Sequence, residues 1–294
     1  MQIKKILVPV DFSENSDLAL SYATQFAASV QASLTLYHSI VMFQFDFNDK
    51  DRLEQYEEML VDHSKSVKQN MKASSNGISN QGLEVHTAVD RGVSAADCIL
   101  KYLDDHNFDM IIMGTHGKTG LKHLMQGSVA EKIVRLSAIP VLTVHDRYEN
   151  FSLNQVLIPI DFSESSHRSL RYTLEMQKIY NFNITCLHVV EKQVFPSYYA
   201  AGSNTMFDVD NELKERVLDN LKSMIEQSGG SDRIDIAVEE GMAYQAIVDY
   251  ARKHKMDLIA ISTRGLTGIE HVLMGSTTEK VVRLASVPVI TFKE

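Results

Sequence analysis

Gly114-Thr115-His116-Gly117, nine residues from Lys118 to Gln126, and then Gly127-Ser128 form a spacing suited to holding an anion. Glycines allow a tight turn and let backbone N–H groups approach a ligand with no Cβ in the way. Ser128 followed by Glu131 reads as a capping box, which predicts a helix starting there with its first N–H groups facing the same place. A helix N-terminus beside a glycine turn attracts phosphate through unpaired amides and the positive end of the helix dipole. The same residues also make an ordinary turn and cap, so spacing alone leaves both readings open. A second copy reads Ser262-Thr263-Arg264-Gly265, nine residues, then Gly275-Ser276-Thr277. Serine there lacks the freedom of glycine at positive φ, which predicts a narrower or differently shaped loop. Arg264 stands where the first copy has His116; a guanidinium there either pairs with phosphate oxygens or is a solvated loop arginine. Asp11 and Asp161, each in Asp-Phe-Ser ahead of a helical pattern, serve either a ligand or a helix cap.

Strands must bring these loops together. Ile6 to Val10 is a short β-branched run, and Leu18, Ala19, Tyr22, Ala23 and Phe26 then recur at helical spacing. A strand over Leu34 to Ile40, a helix from about Asp49 to Ala73 and a strand over Leu83 to Val89 follow. A helix over Ala95 to Leu103, a buried strand over Asp109 to Met113, a helix over Ser128 to Leu136 and a strand over Val141 to Val144 complete the series. Strict alternation predicts a mainly parallel sheet with helices on both faces and ligands at the carboxyl ends of the strands.

The chain says this twice. Lys5 to Ser13 recurs as Gln155 to Ser163, and Gly120 to Val141 recurs without a gap as Gly268 to Val289. The offset is 150 between Asp11 and Asp161 and 148 between Gly127 and Gly275, far beyond a solenoid period, so a whole domain is duplicated. The expected architecture is two tandem α/β Rossmann-like domains, residues 1–148 and 153–294, each a five-stranded parallel sheet with helices on both faces. Segments 41–50, with Phe43, Phe45 and Phe47, and 192–208, with Phe195, Tyr198 and Tyr199, differ between the halves and read as lids, partner surfaces or tolerated loops.

The Gly114-x2-Gly117-x9-Gly127-Ser128 pattern resembles the nucleotide-binding motif of ATP-binding universal stress proteins. The resemblance extends to Pro9-Val10-Asp11, to the His38 region, to Gly92 and to Pro140-Val141, and covers essentially all of both halves. It implies that Gly114, His116, Gly117, Gly127, Ser128 and Val129 hold phosphate, while Pro9, Val10, Asp11, Ser39 and Met113 line the adenosine end. In the second half it implies the same for Ser262, Arg264, Gly265, Gly275, Ser276 and Thr277, with Pro159, Ile160, Asp161 and Val189 at the adenosine end. ATP, or ADP or AMP, is the ligand it implies, with Mg²⁺ able to accompany it. It also implies pairing of the two halves through their last strands, Val141 to Val144 with Val289 to Thr291, as a pseudo-dimer within the chain, a homodimer being a further option. Covering apolar sheet edges gives that pairing a physical reason.

Composition narrows the function classes. A net charge of −9 without a dense Lys/Arg block argues against nucleic acid, and no apolar run is long enough for a membrane span. A short apolar N-terminal run closed by Pro9 reads as a first strand rather than a signal sequence, so a cytoplasmic location is expected. Cys98 and Cys186, one in each half, read as reduced, buried thiols. Gly117-Lys118-Thr119 mimics the end of a P-loop, but Ile112 occupies the position of its leading glycine. The eleven histidines form no H-E-x-x-H set, so no metal site is predicted. No general base or nucleophile stands beside the glycine loops, which favours a regulatory nucleotide-binding module of the stress response over a slow ATPase or a nucleotide-free interaction scaffold.

Overall fold

The computed structural model describes residues 2–42, 50–115, 127–145, 151–191, 212–230, 234–265 and 274–293, without the side chains of 50–54. The aromatic residues of segments 43–49 and 192–208 singled out above lie outside the described residues, as do His116 and Gly117. The chain divides into two compact units, Ile3–Ile139 and Pro140–Glu294, the latter counted with the first two residues.

In the first unit β1 (Lys5–Pro9), α1 (Glu14–Val30), β2 (Ser33–Val41), α2 (Lys50–Ser79), β3 (Val85–Gly92), α3 (Ala95–Asp105), β4 (Met110–Gly114) and α4 (Ser128–Leu136) alternate as expected. The strands lie in the order β3-β2-β1-β4, with parallel registers such as Leu7↔Thr35 and Leu7↔Ile111. Ile6, Leu7 and Val8 are fully buried, which is why β1 is an unbroken apolar run: a central parallel strand is covered on both faces. Ala19, Tyr22, Ala23, Phe26, Ala27 and Val30 form the buried stripe of α1, and the helix ends where Gln31 turns left-handed at φ 56°. Because β1, β2 and β4 run parallel, their carboxyl ends lie at one edge.

The second unit holds β5 (Val141–Val144), β6 (Gln155–Pro159), α5 (Glu164–Tyr180), β7 (Asn183–Val190), α6 (Leu213–Gln227), β8 (Asp235–Glu240), α7 (Ala243–Lys253), β9 (Leu258–Ser262), α8 (Ser276–Leu284) and β10 (Val289–Phe292). Its strand order is β5-β10-β9-β6-β7-β8. The fold is α/β with mostly parallel strands; the exception is β5, which runs antiparallel to β10 in the register Ile290↔Leu142. Thr143 Oγ1 donates to Val289 O and Thr291 Oγ1 donates to Val141 O, both at 3.2 Å, so each strand's buried threonine is satisfied by the other's backbone. Leu157, Ile259, Val281, Val282 and Val289 form the core between β6, β9, β10 and α8. Among the described residues no helix is long and apolar enough to cross a membrane.

Candidate functional site

Each unit has one edge where the carboxyl ends of its central strands meet a helix N-terminus, and a cavity opens there in both. The first, about 440 Å³, is lined by Pro9, Val10, Asp11, Ser39, Met113, Gly114, Gly127, Ser128 and Val129, every described residue that the motif resemblance singled out in that half. The second, about 280 Å³, is lined by all ten selected in the other half: Pro159, Ile160, Asp161, Val189, Ser262, Arg264, Gly265, Gly275, Ser276 and Thr277. His116 and Gly117 lie outside the described residues.

The helix starts differ from the capping-box expectation. Gly127 and Gly275 are the N-caps of α4 and α8, Ser128 and Ser276 are the first helical residues, and neither helix has a side-chain cap. By contrast, α1 and α5 are capped by the hydroxyls of Ser13 and Ser163, which accept from Ser16 N at 3.2 Å and Ser166 N at 3.1 Å. With no side chain covering their first turns, the amides and positive dipole ends of α4 and α8 suit an anion. Both cap glycines are fixed alike: Gly127 N donates to Thr115 O and Gly275 N to Thr263 O, each at 2.7 Å.

Asp11 and Asp161 are not the caps. Asp11 Oδ1 accepts from Ser13 N at 3.1 Å and Ser13 Oγ at 2.6 Å, and Asp161 Oδ1 from Ser163 N at 3.0 Å and Ser163 Oγ at 2.5 Å. Each aspartate orients the serine that caps the helix, while its carboxylate lines the cavity.

What holds the aspartates at the edge went unrecognised in the sequence. Val10 N donates to Tyr37 O at 2.8 Å, and His38 Nδ1 donates to Val10 O at 2.6 Å. Phe12 then takes the left-handed conformation, φ 59°, and stacks on His38 with ring centroids 5.0 Å apart. Left-handed backbone is costly for a bulky residue, and this ring pair helps to maintain it. The second unit repeats the device: Ile160 N to Leu187 O at 2.8 Å, His188 Nδ1 to Ile160 O at 2.7 Å, Phe162 at φ 63°, and centroids 4.7 Å apart. The signal was present as Phe12/Phe162 and His38/His188, each 150 positions apart in the repeat.

Gly114 is not at positive φ; a Cβ there would sit 2.9 Å from Asn15 O, so its role is close approach to the start of α1. Ser262 likewise has no positive φ to sustain. Its hydroxyl donates to Arg264 O at 2.6 Å, folding the loop back on itself. Gly265 packs against Asp161, where a Cβ would lie 2.6 Å from Oδ2. Gly92 ends β3, and a Cβ on it would collide with Cys98 Sγ.

Other walls are specific to one unit. His63 of α2 and Val41 line the first cavity, and Glu191 lines the second. Tyr37, fully buried beneath the first cavity, donates to Asp90 Oδ2 at 3.0 Å; burial and that carboxylate hold its hydroxyl protonated well above the usual tyrosine range. The helices walling the first cavity, α3 and α4, are joined by Lys132 Nζ to Asp97 Oδ1 at 2.6 Å, whereas Lys280 Nζ of α8 lies 4.6 Å over the ring of Tyr244 on α7. Among the described residues no group of three or more His, Cys, Asp or Glu is placed to hold a metal ion.

Comparison with known proteins agrees with the duplication. The sequence profile of the Universal stress protein family matches residues 2–145 and again 153–293. A universal stress protein of Methanocaldococcus jannaschii is 30% identical over 141 residues, 48% of this chain and 82% of that protein. The Universal stress protein E homolog of Haemophilus influenzae is 22% identical over an alignment covering 100% of this chain and 98% of its own. The crystal structure of a universal stress protein from Archaeoglobus fulgidus superposes with a TM-score of 0.69 at 22% identity, covering 100% of this chain and 99% of that one. The chain therefore belongs to the universal stress protein family and carries two consecutive domains of it.

Proposed function

We propose that the chain is a regulatory adenine-nucleotide-binding protein of the stress response, with ATP as the leading ligand of the first cavity and a nucleotide of the same class in the second. The observation that carries this reading is the convergence, at one strand edge in each unit, of a glycine-capped helix start with a carboxylate held by the first strand's turn. An anion at the helix start and a neutral, mostly apolar group between strand ends match the two ends of a nucleotide. Mg²⁺ would accompany the phosphates as part of the ligand. The two sites belong to repeats 1–148 and 153–294, and the β5/β10 register supports pairing of the repeats through their last strands.

Release of nucleotide from freshly purified, denatured protein, quantified per chain by chromatography, tests the reading. Gly127→Glu and Gly275→Glu each place a carboxylate at one helix start; at Gly275 the nearest atom to a new Cβ is Thr263 O at 3.6 Å, so the backbone tolerates the change. Two adenine nucleotides per chain, each lost with its own variant, is the expected result. None, together with no ATP binding on titration, would replace this reading with a nucleotide-free scaffold. ATP consumed during an overnight incubation would make the protein a slow ATPase instead of a binding module.

A further inference from the structure

The two cavities share one frame, so their differences are substitutions at matched positions. At the helix-start end, Gly114, Val129 and Ala130 of the first are Ser262, Thr277 and Thr278 of the second. The two added hydroxyls of Ser262 and Thr278 are internal braces. Ser262 Oγ donates to Arg264 O at 2.6 Å, and the buried Thr278 Oγ1 donates to Ser262 O at 2.7 Å. With Gly275 N to Thr263 O at 2.7 Å, three hydrogen bonds tie the strand end, the loop and the first turn of α8 together. The segment 262–265 held in this way carries Arg264, half-buried in the wall of the cavity that Ser276 and Thr277 also line. In the first cavity the matched residues Gly114 and Ala130 have no side-chain donors, and Val129 is apolar.

We propose that the second cavity is the retaining site, releasing its phosphate-bearing ligand more slowly than the first because Ser262 and Thr278 preset the loop that delivers Arg264. This rests on the nucleotide reading above. Preorganised groups lose little freedom on binding, and a guanidinium with adjacent hydroxyls and helix amides makes charge-assisted bonds to phosphate. Affinity differences between related sites appear mainly in the release rate.

The test follows displacement of a fluorescent N-methylanthraniloyl ATP by excess ATP, with Gly127→Glu leaving only the second cavity and Gly275→Glu only the first. Release from the second is expected to be at least about tenfold slower. In the Gly127→Glu background, Arg264→Ala is expected to speed release of the ATP analogue about tenfold and to leave adenosine affinity unchanged, since adenosine has no phosphate for it to meet. Ser262→Gly, which restores the glycine of the first loop, is expected to speed release several-fold. Equal release from both cavities, or slower release after Ser262→Gly, would overturn the retention proposal alone. No nucleotide binding by either single-cavity variant would remove the nucleotide reading and the proposal with it.

Discussion

Among the described contacts, replacing His38 with alanine removes the hydrogen bond to Val10 O and the ring contact with Phe12, and both can be valued. Val10 is 6% exposed and its carbonyl accepts from His38 Nδ1, so truncation strands a buried acceptor at a cost of about 1–3 kcal/mol. Loss of the Phe12 ring pair adds about 0.5–1.5 kcal/mol, and the left-handed strain at Phe12 loses a counterweight. A loss of about 2–4 kcal/mol from the first unit would lower its urea midpoint by about 1–2 M, taking an m-value of about 2 kcal/mol/M. Nucleotide affinity at the first cavity should fall as well, because Asp11 follows directly on the released carbonyl. His38→Asn offers an amide N–H near the Nδ1 position and should recover roughly half of the stability, the hydrogen bond without the ring. Urea unfolding followed by fluorescence and circular dichroism measures each step. A midpoint for His38→Ala within about 0.3 M of the parent would mean that water satisfies Val10 O and that the imidazole is not a structural donor.

Three further perturbations have definite expected outcomes. Gly265→Ala pushes a Cβ toward Asp161 Oδ2, the movable end of a side chain, so stability should change by under about 1 kcal/mol while nucleotide binding at the second cavity drops at least fivefold on titration. The Lys132 hydrogen bond holds the Asp97 carboxyl below the ordinary carboxylate range; its linkage between α3 and α4 is present above the unfolded carboxylate value and lost as pH falls through the lowered one. Lys132→Met should therefore raise the Asp97 titration seen by NMR back toward the ordinary value. Burial pushes the Cys186 thiol up to about 12 and raises that of the half-buried Cys98 less far, so a thiol reagent at pH 8 should label Cys98 slowly and Cys186 only after unfolding.

Periodicity and duplication carried much of the fold in the sequence. Ser128–Leu136 and Val141–Val144 have the limits their patterns predicted, and β1 is displaced by one residue from the run Ile6 to Val10. The second helix extends to Ser79, beyond the predicted Ala73, because its later turns are polar and only Val67, Met71 and Ile78 mark the buried face. The cavity residues were legible because glycine spacing and strand ends are local. Three features were not. Ser128 offered a cap signal, yet the cap fell one residue earlier on Gly127, where the amide is claimed by Thr115 O across the loop. The need for Gly114 comes from Asn15, a residue 99 positions away whose carbonyl only the folded chain brings near. His38 and His188 sit in strands as ordinary half-buried polar residues, and their backbone partners, Val10 and Ile160, lie one residue past the end of the neighbouring strand.

The antiparallel pair of β5 and β10 sets a timetable for synthesis. Leu142 and Ile290 are 148 residues apart in the chain, so at about 5–20 residues per second β5 is made about 7–30 s before the strand it pairs with. Through that interval β5, whose four residues are all buried in the finished protein, lacks the β10 partners of Val141, Leu142 and Thr143. The interval is long compared with the about 1–10 μs in which a local hairpin forms, so the nascent chain carries an apolar strand awaiting its mate while the second repeat is still being translated.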